Sequence, residues 1–263
     1  MQRLDLIRRS FPGQPELGTA VSRAILNRVA TGELPPTIRI HQPDREVAFG
    51  RRDVVSPGYD AASEAARAAG FAAVERMAGG RAAIFHEGTV AIARAYPDPE
   101  PPRRTYQRFE EMAGLVQAVL SSMGVEARIG EIPGEYCPGA YSVNARGESK
   151  LAGIGQKMIR GAAHVGIVVV ASGSETLRRV LSPVYRALEL DWLPTTAGSI
   201  SDEVGREVET SEVSEGLVAE LGRRYELRET DIDEETLSLA ERLAAERPGP
   251  ARLGARSKAR PEQ

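Results

Sequence analysis

The sequence is short of the residues that mark several common functions. Its 263 residues hold one cysteine (Cys137), three histidines, one tryptophan and only 5% aromatics. A single cysteine allows no intrachain disulfide, so nothing points to an oxidising compartment. The histidines (His41, His86, His164) and the lone thiol have no metal-ligand spacing, and no metal is expected. The longest apolar run, 165–171, is too short to cross a bilayer. The opening MQRLDLIRRSFPGQ has no signal-peptide core or cleavage site. A net charge of -3 offers no basic footprint for nucleic acid. These absences point to a cytoplasmic protein that engages neither membrane nor nucleic acid.

Several catalytic signatures are missing too. Gly153-Ile154-Gly155 begins like a dinucleotide fingerprint, but Met158 stands where the third glycine belongs and the downstream aspartate is absent. There is no phosphate loop ending in Gly-Lys-Ser/Thr. His86-Glu87 has no second histidine to complete a zincin helix, and no GxSxG elbow occurs.

What remains is an ordinary globular composition, 41% hydrophobic and 27% charged. Apolar residues at helical spacing predict helices over 15–30, 60–69 and 105–123, the last with Phe109, Met112, Val116, Val119 and Leu120 on one face. Alternation predicts strands over 37–41 and 46–50, joined by a Pro-Asp turn. It also predicts an antiparallel meander over 71–95. Residues 142–145 and 150–159 flank Arg146-Gly147-Glu148 as a hairpin, and 165–170 reads as a fully buried strand. Two or three helices are expected between 174 and 245. The class is α+β, with a mixed, largely antiparallel sheet packed with helices. Residues 1–245 read as a single domain whose C-terminal part (174–245) is helical, and 246–263 as a disordered basic tail.

Three places could carry chemistry. Cys137 lies in IPGEYCPGA, a Gly/Pro-rich segment suited to a functional loop, although a free thiol is as readily a packed hydrophobe. A nearby cation would lower its pKa and supply thiolate. Lys150, just past the predicted hairpin turn, is the candidate cation, or else a solvated turn lysine. Gly153 and Gly155 after it would let a ligand approach the backbone. Arg76, Gly79 and Gly80 form either a plain strand connection or a glycine loop facing a ligand. His86 is a base or a satisfied strand histidine.

Two of these segments together resemble the lipoate-protein ligase and octanoyltransferase superfamily. ERMAGGRAAIFHEGTVAIA (75–93) is similar to its arginine-then-glycine-pair signature. YCPGAYSVNARGESKLAGIGQKMIRG (136–161) is similar to its lysine segment, and the Cys-Pro-Gly is most like the cysteine-dependent branch. The resemblance implies a biotin/lipoate protein ligase-like catalytic domain with a narrow apolar tunnel. It implies transfer of an octanoyl or lipoyl group to a lysine of a lipoyl carrier domain. Cys137 would bear the acyl group as a thioester and Lys150 would contact the acyl carbonyl. Arg76, Gly79, Gly80, Gly153 and Gly155 would bind substrate, with His86 a further candidate. The partners would be an acyl-carrying donor protein and a lipoyl-domain acceptor, with a monomer the simplest assembly.

No cofactor is implied for the transferase. ATP and Mg would be needed by the alternative, a lipoate-protein ligase working through an acyl-adenylate, in which Cys137 merely packs. Ala78 replaces the first of three glycines found in many ligases, the asparagine-bearing segment is missing, and the residues after about 200 are too few for an accessory domain. These departures favour the transferase. The biotin-ligase nucleotide loop is missing as well. A non-catalytic carrier-binding protein is a third alternative. Acyl carrier protein, an acylated glycine-cleavage carrier, and free acid with ATP are all compatible donors.

Overall fold

The structure, a computed structural model, describes residues 1–246. The predicted basic tail, apart from Glu246, lies outside the described residues. The elements run β1 (Gln2–Ile7), α1 (Pro15–Thr31), β2 (Thr37–His41), β3 (Glu46–Phe49), α2 (Arg51–Val54), α3 (Tyr59–Ala68), β4 (Ala72–Glu75), β5 (Ala83–Phe85) and β6 (Thr89–Pro97). They continue α4 (Thr105–Ser122), β7 (Ala127–Ile129), β8 (Val143–Ala145), β9 (Ser149–Ile159), β10 (Ala162–Val170), α5 (Ser174–Ala187), α6 (Ile200–Val204), α7 (Thr210–Gly222), β11 (Tyr225–Glu229) and α8 (Glu234–Ala245).

Eight strands form one sheet in the order β11-β1-β2-β6-β10-β9-β8-β7, and three form a second in the order β4-β3-β5. In the large sheet only β1 pairs in parallel, with β11 and β2. The expected α+β, largely antiparallel architecture is present.

Alternation along β2 decides what each face of the large sheet does. Ile38 and Ile40 join the core formed with α4 and α7. There Met112, Leu115, Val116, Val119 and Leu120 are buried, each side chain contributing on the order of 1.5–3 kcal/mol. Arg39 and His41 point the other way and line a cavity. That second face is covered partly by α1 and α8 and partly by the small sheet, which carries α3 and α5 on its own apolar side. Pro15 starts α1 at the position where its missing N–H costs nothing. Gly32 ends the helix in the left-handed conformation, at φ 81°, with its N–H on the Val29 carbonyl. The cavity lies where the two sheets and α1 meet.

Three expectations need correction. The predicted strands 37–41 and 46–50 exist as β2 and β3, but they belong to different sheets. Residues 71–95 are not a meander, because β3 lies between β4 and β5, parallel to the first and antiparallel to the second. β6 crosses to the large sheet, between β2 and β10. Period-2 alternation reveals strands but not their partners. The stretch after residue 174 holds four helices and a strand, β11, which pairs with the equally unpredicted β1. The hairpin of β8 and β9 forms as expected. Among the described residues no helix is long and apolar enough to cross a membrane.

Candidate active site

Cys137 lies in the connection from β7 to β8. Its φ is +43°, in the left-handed region, and Pro138 follows it. A residue before proline prefers extended backbone, and a non-glycine residue held at positive φ costs on the order of 1–3 kcal/mol. The surroundings hold it there. The Cys137 N–H donates to Tyr185 Oη at 2.7 Å, and Tyr185 donates in turn to the Ala82 carbonyl at 2.9 Å. The Cys137 carbonyl accepts from Lys150 Nζ at 2.7 Å.

The sulfur side is built by the small sheet. Arg76, which follows β4, donates from Nη2 to Sγ at 3.2 Å and to the Arg81 carbonyl at 2.6 Å. The Arg81 N–H reaches the same sulfur at 3.2 Å. Gly80 makes this approach possible. At φ +102°, a Cβ there would lie 2.5 Å from Arg76 Nη2 and 2.7 Å from Sγ. Burial pushes the Cys137 thiol up, but the charges of Arg76 and Lys150 and the two hydrogen bonds pull it further down, below the ordinary thiol range. The half-buried sulfur is therefore biased towards thiolate.

Lys150, on β9, is 1% exposed. All three of its N–H bonds have acceptors: Glu135 Oε1 at 3.0 Å and the carbonyls of Tyr136 and Cys137 at 2.9 and 2.7 Å. It also lies 4.9 Å from the centre of the Tyr136 ring. Glu135 is buried and saturated, accepting further bonds from Ser142 Oγ (2.6 Å), the Gly139 N–H (3.0 Å) and the Ile132 N–H (3.3 Å). The sequence named Lys150 as the cation beside the thiol. Its charge does act on the thiol, but the cation touching sulfur is Arg76, and Lys150 holds the backbone on either side.

A cavity of about 120 Å³ extends from this cluster. Cys137, Lys150, Arg76 and Gly153 line it, with Ala78 and Tyr136 beside them. A Cβ on Gly153 would sit 3.4 Å from Lys150 Cε, so this glycine gives the lysine room. Gly79, Gly80 and Gly155 are not among its lining residues. Gly155 lets the glycine loop pack onto β9, where a Cβ would meet Ala78 at 3.0 Å. The Gly79 N–H is directed to the Gln156 carbonyl at 3.4 Å. Gly79 and Gly80 thus shape the loop, the first through its bond to β9 and the second through its positive φ.

His86 is not part of this cluster. It is buried in the turn into β6, its Nδ1 accepts from the Gly88 N–H at 3.0 Å, and burial lowers its pKa. A Cβ on Gly88 or Gly173 would lie 2.8 Å from its ring, which is the fit of a packed turn residue. Among the described residues no group of three or more His, Cys, Asp or Glu could hold a metal.

Sequence reasoning missed Glu135, Tyr185 and the Arg81 amide. Glu135 carried no usable signal, since a carboxylate in a Gly/Pro loop is ordinarily solvated and its burial against Lys150 is seen only in the structure. Tyr185 carried none, being 48 residues from the cysteine on α5.

Chemically, a thiol poised to ionise lies beside two cations and an apolar cavity, an arrangement suited to nucleophilic attack on an acyl carbonyl. The model for the lipoyl protein ligase A/B catalytic domain matches residues 14–222. An octanoyl-GcvH:protein N-octanoyltransferase of Geobacillus kaustophilus (strain HTA426) is 31% identical over 206 residues, 74% of this chain and 72% of the relative. The protein of the same name from Bacillus velezensis (strain DSM 23117 / BGSC 10A6 / LMG 26770 / FZB42) is 28% identical over 222 residues, 78% and 77% of the two chains. A lipoate-protein ligase A bound with ATP shares the fold at TM-score 0.74 and 21% identity, over 94% of this chain and 95% of its own. A bipartite lipoate protein ligase from Thermoplasma acidophilum does so at TM-score 0.72 and 20% identity, over 94% and 93%.

Proposed function

The chain belongs to the lipoyl protein ligase A/B catalytic-domain family, and on that premise we propose that it is an N-octanoyltransferase carrying its acyl group on Cys137. It moves an octanoyl group from an octanoylated carrier of the GcvH kind, the donor that the names of its relatives give for them, to the lysine of a lipoyl domain. The observation that carries the reading is the sulfur of Cys137 held at 3.2 Å by both Arg76 Nη2 and the Arg81 N–H, beside the cavity. A merely packed thiol has no need of a guanidinium.

The geometry supports the following sequence. The Cys137 thiolate attacks the octanoyl carbonyl. Backbone amides are the usual holders of such an oxyanion, but those of Cys137, Gly139 and Arg81 are already bonded. A donor can also come from a group that changes partner. Lys150 Nζ can exchange the Cys137 carbonyl for the oxyanion. As sulfur becomes a thioester it loses its negative charge. Arg76 Nη2 and the Arg81 N–H are then released to the adjacent carbonyl oxygen. The intermediate collapses, the donor lysine leaves as an amine and takes up a proton, and the acyl group rests on sulfur. The acceptor lysine attacks as a neutral amine and forms the new amide. It gives up the proton that balances the first, and sulfur leaves as the thiolate that Arg76 stabilises. One amide replaces another, so no nucleotide is consumed.

The test is transfer of octanoate from an octanoylated GcvH-type carrier to a lipoyl domain without ATP. A requirement for ATP and free acid would replace this reading with the ligase. Stable binding of the lipoyl domain without turnover from any donor would replace it with the non-catalytic alternative. We assign the enzyme to the cytoplasm and take it to act as a monomer.

A further inference from the structure

The loop that carries Arg76 and the Arg81 amide to the sulfur rests on one short segment, 49–53, where β3 runs into α2. The Arg76 N–H donates to the Phe49 carbonyl at 3.0 Å. Gly50 packs against Gly80, so closely that a Cβ on Gly50 would lie 2.0 Å from the Gly80 carbonyl oxygen. Asp53, in α2, takes the Arg81 guanidinium, with Oδ1 3.2 Å from Nη1. These contacts follow the loop in order from its start to its end.

Asp53 is 0% exposed. Burial pushes its carboxyl up, and Arg81, the Gly50 N–H and Arg76 pull it back only in part. Its Oδ2 accepts the Gly50 N–H at 3.2 Å. An exposed side chain would serve that bond as well, since the first turn of a helix needs an acceptor and not a buried charge. A buried carboxylate needs a cation, and Arg81 supplies it from 28 residues along the chain. Residue 81 lies before the ladder of β5 with β3, whose nearest pair is Ala48 with Ala83. Among the described residues its N–H donates to the Cys137 sulfur, its carbonyl accepts from Arg76 Nη2 and its guanidinium donates to Asp53. The first two bonds belong to the site. The third ties the residue to the scaffold.

We propose that Asp53 is a positioning residue for acyl transfer: by holding the Arg81 guanidinium it keeps the Arg81 N–H on the Cys137 sulfur and the Arg81 carbonyl on Arg76. The inference rests on the acyl-transfer reading above. Asp53 does not line the cavity, and its hydrogen bonds go to Gly50 and Arg81, not to sulfur. A carboxylate near a thiolate opposes it by charge, so the help Asp53 gives comes through Arg81. Position and charge therefore act with opposite sign. Loss of the tie weakens the thiol as an acid, whereas loss of the charge alone strengthens it.

The experiment follows alkylation of Cys137 by iodoacetamide against pH in the full chain, together with octanoyl transfer from a GcvH-type carrier to a lipoyl domain. Cys137 is the only cysteine, so every alkylated thiol is the one in the site. Asp53→Ala should move the rising limb of alkylation to higher pH. It should lower transfer about tenfold, the scale of one hydrogen bond to a charged group. Asp53→Asn, which keeps an amide oxygen for Arg81, should recover most of both losses. In an Arg81→Met background, where the tie is already gone, Asp53→Ala should cost nothing further. A limb that stays in place or moves to lower pH in Asp53→Ala, or losses that multiply in the double variant, would overturn the proposal. If Asp53→Ala does not fold, Asp53→Asn decides: a limb close to that of the unaltered protein supports the tie, and a limb displaced in either direction overturns it. No transfer by the unaltered chain would remove the acyl-transfer reading but not the readout of the tie, because alkylation needs no carrier.

Discussion

The two sides of Cys137 are built differently. On the backbone side, Lys150, Glu135 and Tyr185 form a closed network in which every lysine hydrogen is used and the carboxylate accepts four bonds. On the sulfur side, Arg76 reaches the thiol with one nitrogen, while its buried Nε has no partner among the described residues. A saturated network fixes the resting cysteine at an unfavourable φ and releases only one lysine hydrogen, to the oxyanion. An incompletely paired guanidinium beside a half-buried sulfur sets how readily that sulfur carries charge. The first side supplies position and an oxyanion donor, and the second supplies the reactivity of the thiol.

Substitutions on the two sides should therefore fail in different ways. Cys137→Ala, which removes the nucleophile itself, should abolish transfer while leaving binding of the lipoyl domain intact; an octanoylation assay paired with a binding titration separates the two. Lys150→Ala should come next. It leaves Glu135 buried without its cation, so thermal unfolding should show a loss of about 3–5 kcal/mol. Transfer should fall roughly 10²–10³-fold through the lost oxyanion donor. Normal stability in that variant would mean the network is not what holds the loop.

Arg76→Met should be milder in stability and distinctive in pH. The cation keeps the Cys137 thiol below its ordinary range, and the thiolate is the reactive form. Activity rises as pH rises through the thiol pKa, so removing Arg76 should move that rising limb to higher pH. A thiol made weaker as an acid holds less thiolate below its pKa, and the lost activity should recover in alkali. A pH-rate profile that drops without moving would deny Arg76 this role. Tyr185→Phe should have the smallest effect. It leaves the Cys137 amide without its partner at a cost of about 1–3 kcal/mol. It should slow transfer only a few-fold and leave the rising limb where it is; a displaced limb would mean the two sides are not separable.

The same division explains what could be read from the sequence. Cys137, Lys150 and Arg76 were legible because each sits in a short segment whose neighbours are distinctive: a Cys-Pro-Gly, a glycine-studded strand, an arginine before a glycine pair. Their mutual arrangement was not legible. Arg76 belongs to the small sheet and Lys150 to the large one, and no local pattern says that a loop of one sheet will cap a strand of the other. The meander expected over 71–95 failed for that reason, since β6 changes sheets at the turn that buries His86. The place of His86 after the glycine strand suggests a site residue, but the chain uses it to pack that turn. Gly80 has a cause its motif alone does not reveal: its missing Cβ makes room for Arg76 and the sulfur. Tyr185 belongs to a helix face whose hydroxyl gives no sign of its distant partner.

Intact-protein mass spectrometry of the chain mixed with an octanoylated GcvH-type carrier, with no acceptor present, shows directly whether sulfur carries the acyl group. The protein should gain the mass of one octanoyl group. The gain should disappear when a lipoyl domain is added and should never form in Cys137→Ala. Octanoyl transfer to the lipoyl domain by Cys137→Ala at the normal rate, or an adduct that the acceptor cannot discharge, would contradict it.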